Sequence, residues 1–308
     1  MKENYNSENQ PTEVPDSGHV KIRRQSSFPA WYDYLVLALL FIVSQAVFGV
    51  VAARLGAFRQ VADTVTEVGY HVTADANAQT EDVLGSVARA TALGYIAGMM
   101  FMIVMTLVYR RLRDGHHGRI ARFSPRGFDP ARLLVGFIVI LAVNIVVEPL
   151  AELLPGRPNY DYLGSGGWAL LSTVVCAPIF EEFIFRGIIL ESTRHRFGVI
   201  AAWLISSLCF GLAHVMPSQI LPTMIVGLVL GYVYIRSGSL FSGILLHALN
   251  NALAMLLLIL GYGDTSLADM VGPHAYWPIY GMAVFILLWW SVGACRTLLK
   301  IRRGERQS

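Results

Sequence analysis

Two adjacent glutamates interrupt an apolar run that is long enough to cross a lipid bilayer. Glu181 and Glu182 lie within residues 168–190, which are otherwise mostly aliphatic, aromatic or small. A charged side chain near the centre of a membrane helix costs roughly 2.5 to 3.5 kcal/mol, so it usually faces the bundle interior and has a partner. The same run and later apolar segments supply candidate partners: Arg186, His214, His247 and Asn251. This pattern predicts a catalytic site buried in a membrane.

The rest of the chain is also too apolar for an ordinary soluble domain. Hydrophobic residues make up 55% of the 308 residues and charged residues 15%, against a usual charged share of about 25%. A hydrocarbon core about 30 Å thick needs roughly 20 helical residues. Several segments approach this length: 31–55, 89–109, 133–154, 168–190, 199–215, 220–235, 240–260 and 277–299. The predicted fold class is therefore all-α, a polytopic membrane helical bundle of about eight transmembrane helices.

Basic and acidic residues alternate between successive connections of these segments. Arginines and lysines precede the first segment, follow the second, fourth and sixth, and close the chain, whereas acids dominate the other connections. Because cytoplasmic loops of membrane proteins carry an excess of Lys and Arg, both termini are predicted to lie in the cytoplasm. The net charge of +3 is thus sorted by side of the membrane. The basic loops therefore predict no nucleic-acid partner.

The chain divides into four predicted regions. Residues 1–28 are polar and are expected to form a disordered cytoplasmic tail, and 29–160 hold the N-terminal membrane helices with an outside loop at 56–88. Residues 161–262 form the catalytic core, and 263–308 form the last membrane helix with a basic cytoplasmic tail. The three cysteines lack CxxC spacing, so they predict neither a disulfide framework nor a zinc knuckle.

Helical spacing assigns different tasks to the two glutamates. Residues four apart share one face of a helix, so Glu182 can pair with Arg186. Glu181 points about 100° away and faces another helix. A carboxylate without an ionic partner in such a cavity is a candidate general base, which can share a water molecule with a neighbouring imidazole. His247 and Asn251 are also four apart, so their side chains project in the same direction.

Three short motifs occur in order along the apolar segments. They are EExxxR (Glu181, Glu182, Arg186), FxxxH (Phe210, His214) and HxxxN (His247, Asn251). In these motifs the chain resembles the CAAX prenyl protease and bacteriocin-processing family (CPBP, or Abi) of intramembrane endopeptidases, and in particular its type II CAAX protease-like members. The resemblance covers roughly residues 163–260. It makes Arg186 a structural support and the other candidates catalytic, namely Glu181, Glu182, His214, His247 and Asn251.

The resemblance implies a role for each motif. Glu181 and His214 would activate the attacking water, and His247 with Asn251 would stabilise the tetrahedral oxyanion, a service that preorganised donors provide in a dry site. The implied substrate is a peptide or a membrane-protein segment, and the implied partners include membrane lipid. In a prokaryotic cell membrane, such a segment is a more suitable substrate than a prenylated C-a-a-X protein.

The need for a metal stays open at the level of sequence. Members of the family are described both as metalloproteases and as glutamate-type proteases without an essential metal. Glu181, His214 and His247 form a set of ligands suitable for zinc, yet the chain contains no HExxH motif. Asn251 is a poor zinc ligand but a natural oxyanion donor. We therefore favour a reaction that requires no cofactor, with zinc bound by those three residues as the alternative.

Other functions also fit parts of the pattern. Intramembrane Glu, His and Arg sets mark ion pathways in proton- or ion-coupled transporters, although no pair of broken helices recurs in symmetric positions here. A non-catalytic bacteriocin-immunity protein of the same family is a further alternative. His247 and Asn251 would then only join helices by hydrogen bonds. Asn144 and Glu148 match no motif and are predicted to lie outside the site, with Glu148 and Pro149 marking an outer helix end.

Overall fold

The computed structural model of the chain describes most of the predicted bundle. The described residues are 28–52, 54, 76–114, 123–125, 128–155, 166–263 and 265–305, with the backbone alone over 76–87 and at 114. The predicted tail up to residue 27 and the predicted outside loop up to residue 75 lie outside them. Every regular element within the described ranges is a helix, which confirms the predicted all-α fold class.

The helices follow one another along the chain with short connections. In order they are α1 (Trp31–Ala52), α2 (Ala76–Asp114), α3 (Pro130–Glu152), α4 (Gly167–Leu170), π1 (Leu171–Cys176), α5 (Ala177–Glu182), π2 (Phe183–Leu190), α6 (Glu191–Phe197), α7 (Val199–Leu212), α8 (Pro217–Ser237), α9 (Leu240–Ile259), α10 (Leu267–Val271) and α11 (Pro273–Glu305). The pieces from α4 to α6 run on without a break, and we call them the segmented helix. Residues 76–88 belong to α2, so this part of the predicted outside loop is helical.

Six of the described helices are long and apolar enough to cross a membrane. They are α1, the part of α2 from Ala88 to Arg113, α3, α8, α9 and α11. The predicted number of eight is not confirmed, because the two other predicted spans fall on the segmented helix and on α7. The segmented helix alternates wide π turns with α-helical pieces of 4, 6 and 7 residues, and α7 has only 14 residues. Pro178 accounts for the first wide segment, since it donates no hydrogen bond and crowds the preceding turn.

Short polar contacts fix the connections that orient the site helices. Gly238 ends α8 with φ 65°, a left-handed conformation that favours glycine. Ser239 caps α9 by accepting a hydrogen bond from the Phe241 amide at 3.2 Å. This tight turn places α8 and α9 side by side. At the far end of α3, the helix continues past Pro149 to Glu152. The predicted helix end at that proline is therefore wrong, because the neighbouring helices hold the proline-containing turn in place.

Contacts between helix ends gather the start of α1 and the ends of α2, α6 and α11 at one end of the bundle. They are Arg113 Nε to Asp33 Oδ1 at 3.1 Å, Tyr34 Oη to Thr193 Oγ1 at 2.7 Å and Arg194 Nε to Glu305 Oε1 at 2.7 Å. Ser124 N and Ser239 Oγ, 3.2 Å apart, add the start of α3 and the turn between α8 and α9. We call this end, which carries Arg113, Arg132, Arg194, Arg236 and Arg296, the basic end. Its side of the membrane stays an expectation.

Candidate active site

Arg186 and Glu182 form a fully buried ion pair at the centre of the bundle. Both side chains are 0% exposed, and Arg186 Nη1 donates to Glu182 Oε1 at 2.6 Å. Arg186 Nη2 donates to the Gly227 carbonyl of α8 at 3.1 Å. The guanidinium carbon also lies 4.4 Å from the centre of the Phe210 ring of α7, in a cation–π contact. The predicted pair is thus present, and it ties the segmented helix to two neighbouring helices.

Glu181 faces a different helix from its neighbour, as the spacing predicts. Tyr95 of α2 donates its hydroxyl hydrogen bond to Glu181 Oε1 at 3.0 Å. The other oxygen, Oε2, lies 3.8 Å from His247 Nε2, and the Glu181 side chain is 16% exposed. A separation of this size between polar groups leaves room for a water molecule bound to both. Glu181 is therefore not without a partner, and Tyr95 is a site residue that no motif indicated.

His247 lies between the two glutamates. Its Nδ1 is 3.4 Å from Glu182 Oε1, while its Nε2 faces Glu181. One turn earlier on α9, a Cβ atom on Gly243 would lie 2.7 Å from Glu182 Oε2. Only glycine therefore allows α9 to approach the buried carboxylate closely enough to place His247 there. The imidazole is held by packing and by charge, with its Nε2 directed toward the more exposed glutamate.

His214 lies in the turn that follows α7, next to the same aromatic ring as His247. The centre of the Phe210 ring is 5.2 Å from the His214 ring and 5.6 Å from the His247 ring. His214 Nδ1 is 3.0 Å from the Phe210 carbonyl, which leaves Nε2 for the site. Within the described part of the chain, no hydrogen bond or ion pair joins His214 to Glu181. Their cooperation stays a prediction.

The backbone just after His214 is strained. Val215 has φ 60°, a left-handed conformation that a β-branched residue rarely adopts and that costs on the order of 1–3 kcal/mol. The strained residue turns the chain from α7 into α8, so it fixes the position of the imidazole. Strain of this kind is concentrated at functional sites in proteins.

A row of amide side chains crosses the bundle beside the glutamates. Asn251 Nδ2 donates to the Thr173 carbonyl of π1 at 2.9 Å, and Asn250 Nδ2 donates to Asn251 Oδ1 at 3.3 Å. Asn144 of α3 donates in turn to Asn250 Oδ1 at 3.1 Å. The Asn251 amide is therefore oriented from both sides and keeps a second N–H for a ligand. Asn144, which matches no motif, supports this row, whereas Glu148 accepts a hydrogen bond from the Leu267 amide at 2.8 Å near α10.

The alternative zinc ligands do not form a metal site in the described structure. No group of three or more His, Cys, Asp or Glu side chains that could hold a metal ion occurs among the described residues. His247 lies between two carboxylates, and one nitrogen of His214 faces a backbone carbonyl. Glu181, His214 and His247 therefore do not fit zinc in this arrangement. The favoured reaction without a cofactor stays a prediction.

The fold and the site define a membrane helical bundle with a buried carboxylate–imidazole centre. Residues 164–253 match the profile of the type II CAAX prenyl endopeptidase Rce1-like family. This segment belongs to that protease family, as the three motifs indicate. The matched segment contains all six candidate residues predicted from sequence, whereas Tyr95 and Asn144 lie outside it. Together with the six apolar helices, the family makes the chain an integral membrane protein.

An uncharacterized 24.3 kDa protein of Escherichia coli is similar to part of the chain. The two sequences are 33% identical over 135 residues, which are 40% of this chain and 62% of that relative. The chain thus spans less than two thirds of the length of the relative. No solved structure matches the chain.

Proposed function

We propose that this chain is an intramembrane endopeptidase that hydrolyses a peptide bond with a water molecule activated by Glu181. The supporting observation is the environment of this carboxylate. One oxygen accepts a hydrogen bond from Tyr95, and the other lies 3.8 Å from His247 Nε2 in a bundle lined mostly by apolar side chains. A glutamate that is positioned but not ion-paired to a cation suits a general base.

The proposed reaction begins with proton transfer from the water to Glu181. The water oxygen forms a bond to the carbonyl carbon of the substrate, with His214 as the second group that orients it. His247 Nε2 and the free N–H of Asn251 donate to the oxyanion that develops. Glu181 then returns the proton to the leaving amide nitrogen as the carbon–nitrogen bond breaks. Hydrolysis thus leaves one new carboxylate and one new amine.

Glu182 has a different part in this proposal because its charge is already used. Its pair with Arg186 is buried, and its Oε1 lies 3.4 Å from His247 Nδ1. It therefore acts as a positioning residue, which holds the imidazole with Nε2 toward the reaction centre. Two carboxylates in neighbouring positions have different roles when their surroundings differ in this way.

The proposed substrate is a peptide or a segment of a membrane protein in a prokaryotic cell membrane. Both chain ends are proposed to lie in the cytoplasm, which the gathering of arginines at the basic end supports. The test is a comparison of membrane peptides from cells that carry the native protein, Glu181→Ala or Glu191→Ala. We expect cleaved peptides that disappear with Glu181→Ala and persist with Glu191→Ala. Identical peptide inventories for all three would contradict the proposal.

Asn251→Ala is expected to lower turnover by roughly a hundredfold to a thousandfold, the usual loss for one oxyanion donor. The KM should change little, because the donor acts mainly on charge that develops in the transition state. Exhaustive chelation should leave cleavage by the native protein intact. The measurements are steady-state kinetics in liposomes and elemental analysis for zinc.

The matched control for this variant is Asn144→Ala, which removes an amide from the same row but leaves Asn251 bonded to Thr173. Its turnover should fall much less. One tightly bound zinc per chain that is lost in His214→Ala would overturn the reaction without a cofactor. A metal of this kind would still be compatible with proteolysis.

Tyr95→Phe is expected to lower kcat by about tenfold, since a hydrogen bond to a charged group is worth about 1.5–3 kcal/mol. The change removes only the hydroxyl that donates to Glu181, so KM should stay close to its native value. Tyr34→Phe is the control, because the Tyr34 hydroxyl joins Thr193 between other helices. Equal kcat values for the two variants would contradict the positioning of Glu181 by Tyr95.

A further inference from the structure

A groove at the basic end combines positive charge with an apolar wall. It lies between the start of α3, the end of α8 and the last third of α11, and its volume is about 820 Å³. Its charged lining residues are three arginines and one aspartate, namely Arg132, Arg236, Arg296 and Asp129. This volume is typical of ligand sites in proteins. None of the candidate catalytic residues lines the groove.

Two of the arginines are available for a ligand. Arg132 is already paired, because its Nε lies 2.9 Å from Asp129 Oδ2. Arg236 and Arg296 are exposed. In the part of the chain that the structure describes, neither of them has an ion-pair or hydrogen-bond partner. Since the pair of Arg132 and Asp129 is neutral, the groove presents two uncompensated positive charges.

The apolar wall of the groove comes mainly from α11. Phe285, Leu288, Trp289 and Val292 line it, and each side chain is between 51% and 65% exposed. From Phe285 to Arg296 the helix extends about 16 Å. An apolar strip of this length therefore leads away from the guanidinium groups along the helix. Tryptophan beside basic residues is typical of the headgroup level of a bilayer.

We propose that this groove binds one anionic phospholipid. Its phosphate lies between Arg236 and Arg296, and one acyl chain follows α11 toward Phe285. Positive charges near a membrane attract anionic lipid, whereas a zwitterionic lipid brings its own cation to the same place. The inference goes beyond the proposed hydrolysis and does not depend on it.

Lipid binding to the purified full-length chain in detergent tests the charges of the groove. We expect phosphatidylglycerol to bind more tightly than phosphatidylcholine. The double variant Arg236→Gln with Arg296→Gln should weaken phosphatidylglycerol binding by roughly thirtyfold, from the usual contribution of each arginine near an anionic surface. The matched control is Arg302→Gln with Arg303→Gln, which removes two exposed charges of α11 outside the groove. This control should bind as the native protein does.

A second pair of variants tests the apolar wall. A side chain at Gly293, which lines the groove, would meet nothing within 4 Å, and the same holds at Gly281, which does not line it. Gly293→Phe should therefore fill the groove and weaken phosphatidylglycerol binding, whereas Gly281→Phe should not. Equal losses in the groove variants and their controls would overturn the site. Equal binding of phosphatidylcholine, or displacement of the lipid by millimolar inorganic phosphate, would overturn the assignment of an anionic phospholipid.

Discussion

Glu181→Gln is expected to abolish peptide hydrolysis and to leave the fold intact. The amide keeps the size of the side chain and can still accept the hydrogen bond that Tyr95 donates at 3.0 Å. It has no basic oxygen that could take a proton from water, and general-base catalysis is worth about 10²- to 10⁴-fold. Turnover of the reconstituted protein, on a substrate found by the peptide comparison, should therefore fall at least about a hundredfold.

Glu191→Gln is the matched control for this variant. Glu191 lies on the same segmented helix and accepts a hydrogen bond from Tyr234 Oη at 2.7 Å, much as Glu181 does from Tyr95. Its replacement changes the same chemical group outside the site, so turnover should stay close to the native value. If Glu181→Gln keeps most of its activity at unchanged thermal stability, the water-activating role of Glu181 is refuted.

The features that the sequence predicts correctly are those determined within one helix. Glu182 and Arg186 are four residues apart, and the structure pairs them at 2.6 Å. The same spacing places His247 and Asn251 on one face of α9, where both reach the segmented helix or its surroundings. Helix geometry is constant, so the separation of two residues in sequence determines their relative direction. The all-α class follows in the same way from the long apolar runs.

Contacts between distant segments could not be predicted in this manner. Tyr95 lies 86 residues before Glu181, and Asn144 lies 106 residues before Asn250. Hydrophobic periodicity does not show which face of an apolar membrane helix meets a given neighbour, since nearly all its faces are apolar. The wide π turns are also invisible in composition, although Pro178 marks one of them. These turns explain why the predicted number of spanning helices is not confirmed.

Arg186→Ala is expected to destabilise the protein by about 3 to 5 kcal/mol, the usual cost of removing one member of a buried ion pair. The change leaves the carboxylate of Glu182 in the core without its cation. It also removes the hydrogen bond to the Gly227 carbonyl and the contact with the Phe210 ring. Thermal unfolding in detergent and the yield in membranes should both fall more than they do for Glu181→Gln. Arg132→Ala is the control, because its pair with Asp129 is 61% and 38% exposed and should contribute only about 0–1 kcal/mol.

The double variant Glu182→Gln with Arg186→Met separates the charge from the packing. It removes both buried charges together, and such replacement by neutral side chains of similar volume is often close to neutral in free energy. The Gly227 carbonyl still loses its donor, so we expect recovery of part of the lost stability and not all of it. Catalysis should stay impaired even in the recovered protein, because Glu182 no longer holds His247 by charge across 3.4 Å. Equal melting temperatures for the native protein, Arg186→Ala and the double variant would show that the pair does not stabilise the bundle.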